Sequence, residues 1–202
     1  MNDSTANKLP DQLLVSNVLS GDTHGFAAII NNTEALVTQL VFKMISNRED
    51  RKDIAQDIYL KAFQQLPHFR FQAKLSTWIG QIAYHTCLNY LEKKKLYFPG
   101  YANTEEEEDP LEILSNRSAD WTNSETENMI FKKELSSILQ LEIDKLSPLY
   151  KVLITLYHNA ELSYAEIGQI TRLPEGTVKN YLFRARKTLR TNLLLIYKKE
   201  AL

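Results

Sequence analysis

One cysteine, Cys87, stands among the 202 residues. It has no partner for an internal disulfide, and a lone thiol cannot begin a zinc site of the usual paired spacing. Its place between Ala83 and Leu91 is that of a small core residue on a helix. With only 6 glycines the chain has no glycine-rich phosphate loop. H-E-x-x-H, a nucleophile elbow and a cysteine–histidine cluster are missing as well, and the histidines His24, His68, His85 and His158 are scattered. No catalytic residue, metal, cofactor or small-molecule substrate is therefore expected, and the chain is not read as an enzyme. No run of roughly 18 apolar residues appears, and the opening "MNDSTANKLPDQ" has neither a basic nor an apolar leader region. An integral membrane protein is not expected; a cytoplasmic address is.

What is there is charge, unevenly placed. The formal net charge is -1, yet residues 1–98 hold 11 Lys/Arg against 9 Asp/Glu, residues 99–128 hold 1 against 9, and residues 129–202 hold 12 against 7. Two basic ends thus flank an acidic middle. From Pro99 to Asn128, "PGYANTEEEEDPLEILSNRSADWTNSETEN" shows no sustained helical period and reads as a flexible acidic linker. Its "EEEED" run is a solvated, self-repelling spacer, since adjacent carboxylates on an extended chain do not converge on a cation. Trp121 is the exception, a ring that suits docking on a surface.

Elsewhere the period is helical and strand-like alternation is not sustained. Val37, Leu40, Val41, Met44 and Ile45 form one apolar stripe, and Ile54, Ile58, Ala62 and Phe63 form another, with Tyr59 beside it. Ser147–Pro148 marks a helix start with a cap and a first-turn proline, and Ser163 with Glu166 spells a capping box. The fold class is all-α: two small helical domains, 1–98 and 129–202, joined by the linker 99–128.

Within "LSYAEIGQITRLPEGTVKNYLFRARKTLR", Leu162–Arg190, residues 164–171 make a short helix with Ile167 and Ile170 inward. The "LPEG" break follows, and Val178, Leu182, Ala185 and Leu189 give a second helix its apolar stripe. Thr177, Lys179, Asn180, Tyr181, Arg184 and Lys187 face outward, with Arg186 further round. A basic helix alone is most often a solvated surface helix. A capped short helix and a tight turn before it make this a helix-turn-helix, whose hydroxyl, amide and cationic groups suit base edges and phosphates of the major groove.

The same stretch resembles the DNA-binding region of extracytoplasmic-function sigma factors, with its Y-x-E-I-A helix, G-V-P-x-G-T-V turn and R-A-R-bearing second helix. The resemblance implies that Lys179, Asn180, Tyr181 and Arg184 read an upstream promoter box. Arg172 stands where the family commonly has a turn glycine, which opens the turn to another geometry, and Tyr181 stands where an arginine is common.

The first half carries matching segments. "SGDTHGF", Ser20–Phe26, resembles the family's A-G-D-x-x-A-F entry, and "DIAQDIYLKAFQQLPHF", Asp53–Phe69, resembles the helix that docks on core RNA polymerase. Asp53, Gln56 and Asp57 are the matching polar positions; read on their own, with Lys61, they are a solvated face. "FRFQAKLSTWIGQIAYHTCLNYLEKKK", Phe69–Lys95, resembles the segment that binds the downstream box and traps its opened strand. Cations and aromatic faces are what single-stranded DNA binding requires, and the candidates are Arg70, Phe71, Lys74, Ser76, Trp78, Tyr84 and His85. Trp78 fits core packing slightly better than DNA contact. His85 and Asn89 replace the family's asparagine and aspartate, and the run Lys93–Lys95 suits either phosphates or the helix dipole. The resemblance implies core polymerase, promoter DNA and an anti-sigma protein as partners, with the linker lying in the channel for nascent RNA. A helix-turn-helix regulator that never docks on polymerase is the alternative reading, and a helical adaptor a more distant one.

Overall fold

The computed structural model describes residues 10–93 and 125–200, and side chains throughout these except at Thr23, 125–134 and 197–200. Eight α-helices account for the described regular structure, with one 3-10 turn at Leu66–His68. The helices are α1 (Asp11–Leu19), α2 (Thr23–Met44), α3 (Arg48–Gln65), α4 (Leu75–Lys93), α5 (Glu125–Lys145), α6 (Pro148–His158), α7 (Tyr164–Thr171) and α8 (Glu175–Glu200). The all-α expectation holds. The acidic run, Trp121, Lys94 and Lys95 lie outside the described residues.

In the first bundle α2 packs on α1, α3 and α4. Its stripe Val37, Leu40, Val41, Met44 and Ile45 is at most 5% exposed, and it meets Ile54, Ile58 and Ala62 of α3 and Ile79, Ala83, Cys87 and Leu91 of α4 in the core. Burial pushes the Cys87 thiol up to about 12, which leaves it an unreactive core side chain. Phe63 departs from expectation. The inward line of α3 is set by Ile54, Ile58 and Ala62, and Phe63 sits about 100° round from Ala62. It is 51% exposed and meets Phe26 edge-on at 5.0 Å.

Helix ends are satisfied by short polar side chains. Asp22 accepts from the His24 amide at 2.9 Å and Asn47 from the Glu49 amide at 3.1 Å, capping α2 and α3. The start of α4 is capped from a distance: Asp11 on α1 accepts from the Leu75 amide at 2.8 Å. The loop before α4 is thereby held at its C-terminal end by α1.

In the second bundle α5, α6 and α7 pack on α8. α5 begins at Glu125, inside the stretch read as linker. Pro148 opens α6 as expected, but the Ser147 side chain makes no capping bond, so the fixed φ and absent N–H of proline set that start. The α7 capping box is complete, with Ser163 Oγ accepting from the Glu166 amide at 3.3 Å and the Ser163 amide donating to Glu166 at 2.9 Å. The chain then folds back so tightly that a Cβ on Gly168 would stand 2.8 Å from the Leu173 carbonyl oxygen. Arg172 makes this turn in the left-handed region, at φ 59° and ψ 30°. The glycine-type geometry is kept without the glycine.

Val178, Leu182 and Ala185 are sealed from solvent and Leu189 is nearly so, which fixes α8 in rotation. The two bundles are also packed together, α4 on α7 and α2 on α6, and their apolar residues form one continuous core.

The left-handed residue 172 yields a stability prediction. Arg172→Gly should remove about 1 kcal/mol of backbone strain. The urea midpoint should rise with an unchanged slope, as followed by circular dichroism.

Candidate nucleic-acid interface

The outward side of α8 is polar and cationic because its opposite side is committed to the core. Lys179, Asn180 and Lys187 are exposed; Thr177, Tyr181 and Arg184 are half-buried. The Tyr181 ring lies 5.7 Å from Tyr150 of α6, and Lys179 Nζ stands 5.8 Å from the centre of the Tyr164 ring on α7. Arg186 is engaged by α6: its guanidinium lies 4.7 Å from the Tyr157 ring centre, and its Nε donates to His158 Nε2 at 3.4 Å. Burial, and then that guanidinium, lowers the His158 pKa. The sequence-derived set on α8 thus shares one helix face, flanked by aromatic rings that hold its cations up.

The loop before α4 has a different chemistry. Phe69 is buried, Phe71 is 44% exposed in a left-handed conformation, and their rings lie 4.7 Å apart. Phe69 in turn lies 5.0 Å from Trp78, so three rings run from surface to interior. Trp78 is half-buried, a packing member of this run that still keeps accessible surface. Beside the run is a cleft of about 300 Å³ lined by His68, Phe69, Arg70, Gln72, Ala73, Thr77, Trp78, Gln81 and, from α7, Gln169. Thr77 Oγ1 in its wall is buried with no hydrogen-bond partner. Such an orphan costs roughly 1–3 kcal/mol.

The other downstream candidates are spread out. Arg70 is exposed at the cleft; Lys74 is exposed and forms an ion pair with Glu166 of α7 at 2.8 Å. That pairing raises the Lys74 pKa and, with the Ser163 amide, holds Glu166 down at about 2. Ser76 opens on a separate cleft of about 140 Å³ against α1 and α2. Tyr84 is 2% exposed and meets His85 edge-on at 5.2 Å. His85 is half-buried, its Nε2 has no hydrogen-bond partner, and burial followed by the charge of Arg172 lowers its pKa. Arg70 and Trp78 therefore line one cleft, with Phe71 packed on Phe69 of its wall, whereas Tyr84 and His85 sit about two turns along α4.

On α3, Asp53 and Gln56 are exposed, and Asp57 is half-buried in an ion pair with Lys61 at 2.6 Å. Leu60 and Phe63, 56% and 51% exposed, continue the line of Asp53 and Gln56 at helical spacing. Leu60 was not among the sequence candidates, although its distance from Asp53 and Gln56 is the signal that finds it. Gln81 and Gln169 were missed for a different reason: their meeting depends on how the bundles pack.

Residues 29–97 match the Sigma-70 region 2 family and residues 136–189 match Sigma-70, region 4. The ECF RNA polymerase sigma factor SigW of Bacillus subtilis is 34% identical over 185 residues, covering 89% of this chain and 94% of that protein. The chain belongs to the extracytoplasmic-function (ECF) group of RNA polymerase sigma factors. The ECF RNA polymerase sigma-E factor of Escherichia coli is 31% identical over 184 residues, covering 90% of this sigma factor and 93% of its relative. The fold is similar to that of CnrH in complex with the cytosolic domain of CnrY, with a TM-score of 0.60 at 16% identity over 91% of this chain and 96% of that one. Among the described residues no helix is long and apolar enough to cross a membrane, and no group of three or more metal-ligating side chains forms.

The two cations of α8 should behave differently. Arg184→Ala should cost about 1–3 kcal/mol, concentrated at one base pair of the bound duplex, if its guanidinium meets a base edge. Lys187→Ala should weaken all sequences alike and make the salt slope shallower by roughly one unit. Binding of the full chain to a randomised duplex at several salt concentrations separates the two behaviours.

Proposed function

We propose that this sigma factor docks on core RNA polymerase through the exposed line of α3, reads an upstream promoter box with α8, and captures an opened strand of the downstream box at the loop before α4. The observation that carries the reading is the ring run Phe71–Phe69–Trp78 beside a cleft with an unpartnered Thr77 hydroxyl. Stacking on such rings is worth roughly 1–3 kcal/mol per base. That is energy available only from unpaired bases, so the loop favours open over closed duplex. Arg70 and Lys74 would track the strand backbone while the cleft receives one extruded base. On α8, Asn180 is able to pair bidentately with adenine, whereas the serine common in the family is not.

The chain itself makes and breaks no covalent bond in this scheme; polymerase performs the chemistry, and binding energy opens the strands. Its workplace is the cytoplasm, and an anti-sigma protein is the expected inhibitor. The domain limits follow the two surfaces, with residues 1–98 carrying the polymerase and strand sites and 129–202 the duplex site. Residues 99–128 connect them.

Two measurements test the assignments. Replacing Asp53, Gln56 and Asp57 by alanine should weaken core-polymerase binding at least tenfold while circular dichroism stays helical; unaltered affinity removes α3 from the docking surface. Replacing Phe71 and Lys74 by alanine should lower permanganate reactivity of promoter thymines more than it lowers closed-duplex binding. Equal losses would make the loop a duplex contact only.

A further inference from the structure

Two cations of α8 are tied together by a chain of aromatic rings. Tyr157 of α6 and Tyr164 of α7 stack with ring centres 5.1 Å apart and planes 13° from parallel. The Arg186 guanidinium lies over the Tyr157 ring at 4.7 Å, and Lys179 Nζ lies over the Tyr164 ring at 5.8 Å. His158 Nε2 accepts from Arg186 Nε at 3.4 Å, a further restraint on the guanidinium. Both tyrosines are half-buried and packed against the core, so their rings are in place before any DNA arrives. Lys179 and Arg186 are seven residues apart, two turns and about 10 Å along α8. Each directly follows a sealed residue of the apolar stripe, Val178 and Ala185. Both therefore stand on the same edge of the helix rather than at the centre of its outward face, where Asn180 and Lys187 lie.

We infer that the Tyr157–Tyr164 stack is a positioning device that sets Lys179 and Arg186 as a paired phosphate contact on one edge of α8, leaving base reading to the centre of that face. The inference rests on the proposed duplex role of α8. When a helix enters the major groove, its centre line faces base edges and its flanks face the strands on either side. Phosphates recur along a strand at a fixed interval, so two cations held at a fixed separation meet them as a pair. The face of an aromatic ring is electron-rich and attracts a cation. A lysine stem is flexible and loses rotamer freedom when its ammonium is pinned to a phosphate; a ring that already restrains it removes part of that loss. The planar guanidinium of arginine suits ring stacking and keeps its charge at any ordinary pH. Arg186 thus joins the DNA-contacting set, and Tyr157 and Tyr164 act through the two cations.

Polymerase holoenzyme reconstituted with the full chain, bound to a promoter duplex at several salt concentrations, tests the device. Tyr164→Leu keeps an apolar side chain but no π-face. It should weaken binding about threefold and make the salt slope shallower by up to about one unit, whatever the sequence of the upstream box. Tyr164→Phe keeps the ring and should keep both quantities. In a Lys179→Ala background Tyr164→Leu should change neither, because the cation it acts through is gone. A full, additive loss in that background, or an equal loss in Tyr164→Phe, would make Tyr164 a packing residue only and overturn the inference. Tyr157→Leu with Arg186→Ala forms a second pair with the same expectations, and it decides the question if circular dichroism shows that Tyr164→Leu unfolds the bundle. Failure of the underlying reading looks different: Arg184→Ala and Lys187→Ala would then leave duplex binding unchanged, and the inference would fall with it. Silent Lys179→Ala and Arg186→Ala variants, beside clear effects of Arg184→Ala and Lys187→Ala, overturn the paired contact alone.

Discussion

The burial of one apolar stripe on α8 is the constraint from which the rest follows. Val178, Leu182 and Ala185 admit no solvent and Leu189 very little. Truncating Leu182 to alanine would cost about 2–5 kcal/mol, a large share of what holds a small bundle together. Because a helix has a fixed period, sealing one side decides the other, and Lys179, Asn180, Arg184 and Lys187 are turned out together. The stripe docks on α6 and α7, α7 docks on α4, and α4 carries the loop with its ring run. Position passes from α8 to the loop before α4 through buried side chains that lie in neither proposed nucleic-acid surface.

The two proposed surfaces differ in the way their proposed targets differ. A duplex presents base edges in a groove and a regular phosphate spacing, and a rigid helix with amide, hydroxyl and cationic groups meets it. An opened strand presents π-faces, and a loop that exposes Phe71 over buried Phe69 has the chemistry for that instead. The loop is made rigid by unusual means: a left-handed Phe71, a buried Phe69, and the remote cap from Asp11 onto the Leu75 amide. Rigidity matters there, since a ring platform that had to be ordered on binding would surrender part of its stacking energy.

Helical stripes were legible from apolar spacing alone, as were the α7 capping box, the start of α6 at Pro148 and the bounds of α7, because these are local rules with short range. Phe63 was misplaced because periodicity gives the centre of an apolar face more surely than its edge, where one residue's rotation separates core from rim. The Ser147 cap failed because a cap-type residue states a preference, not a bond. The left-handed turn at Arg172 shows the opposite case, in which tertiary packing around Gly168 and Leu173 imposes a geometry the local residue resists. Of the candidate site, the polar face of α8 was legible, being the complement of a stripe. The cleft and the ion pair of Lys74 with Glu166 were not, since each joins residues of distant sequence and no period relates them.

The central claim is that this chain confers promoter choice on core RNA polymerase. Run-off transcription with purified core enzyme, the full chain and a library of promoters randomised in two spaced boxes tests it directly. The account predicts transcripts that appear only when the chain is added and that come from templates sharing a preferred sequence in both boxes. Transcription no greater than that of core enzyme alone, from a chain that still binds DNA, would contradict it.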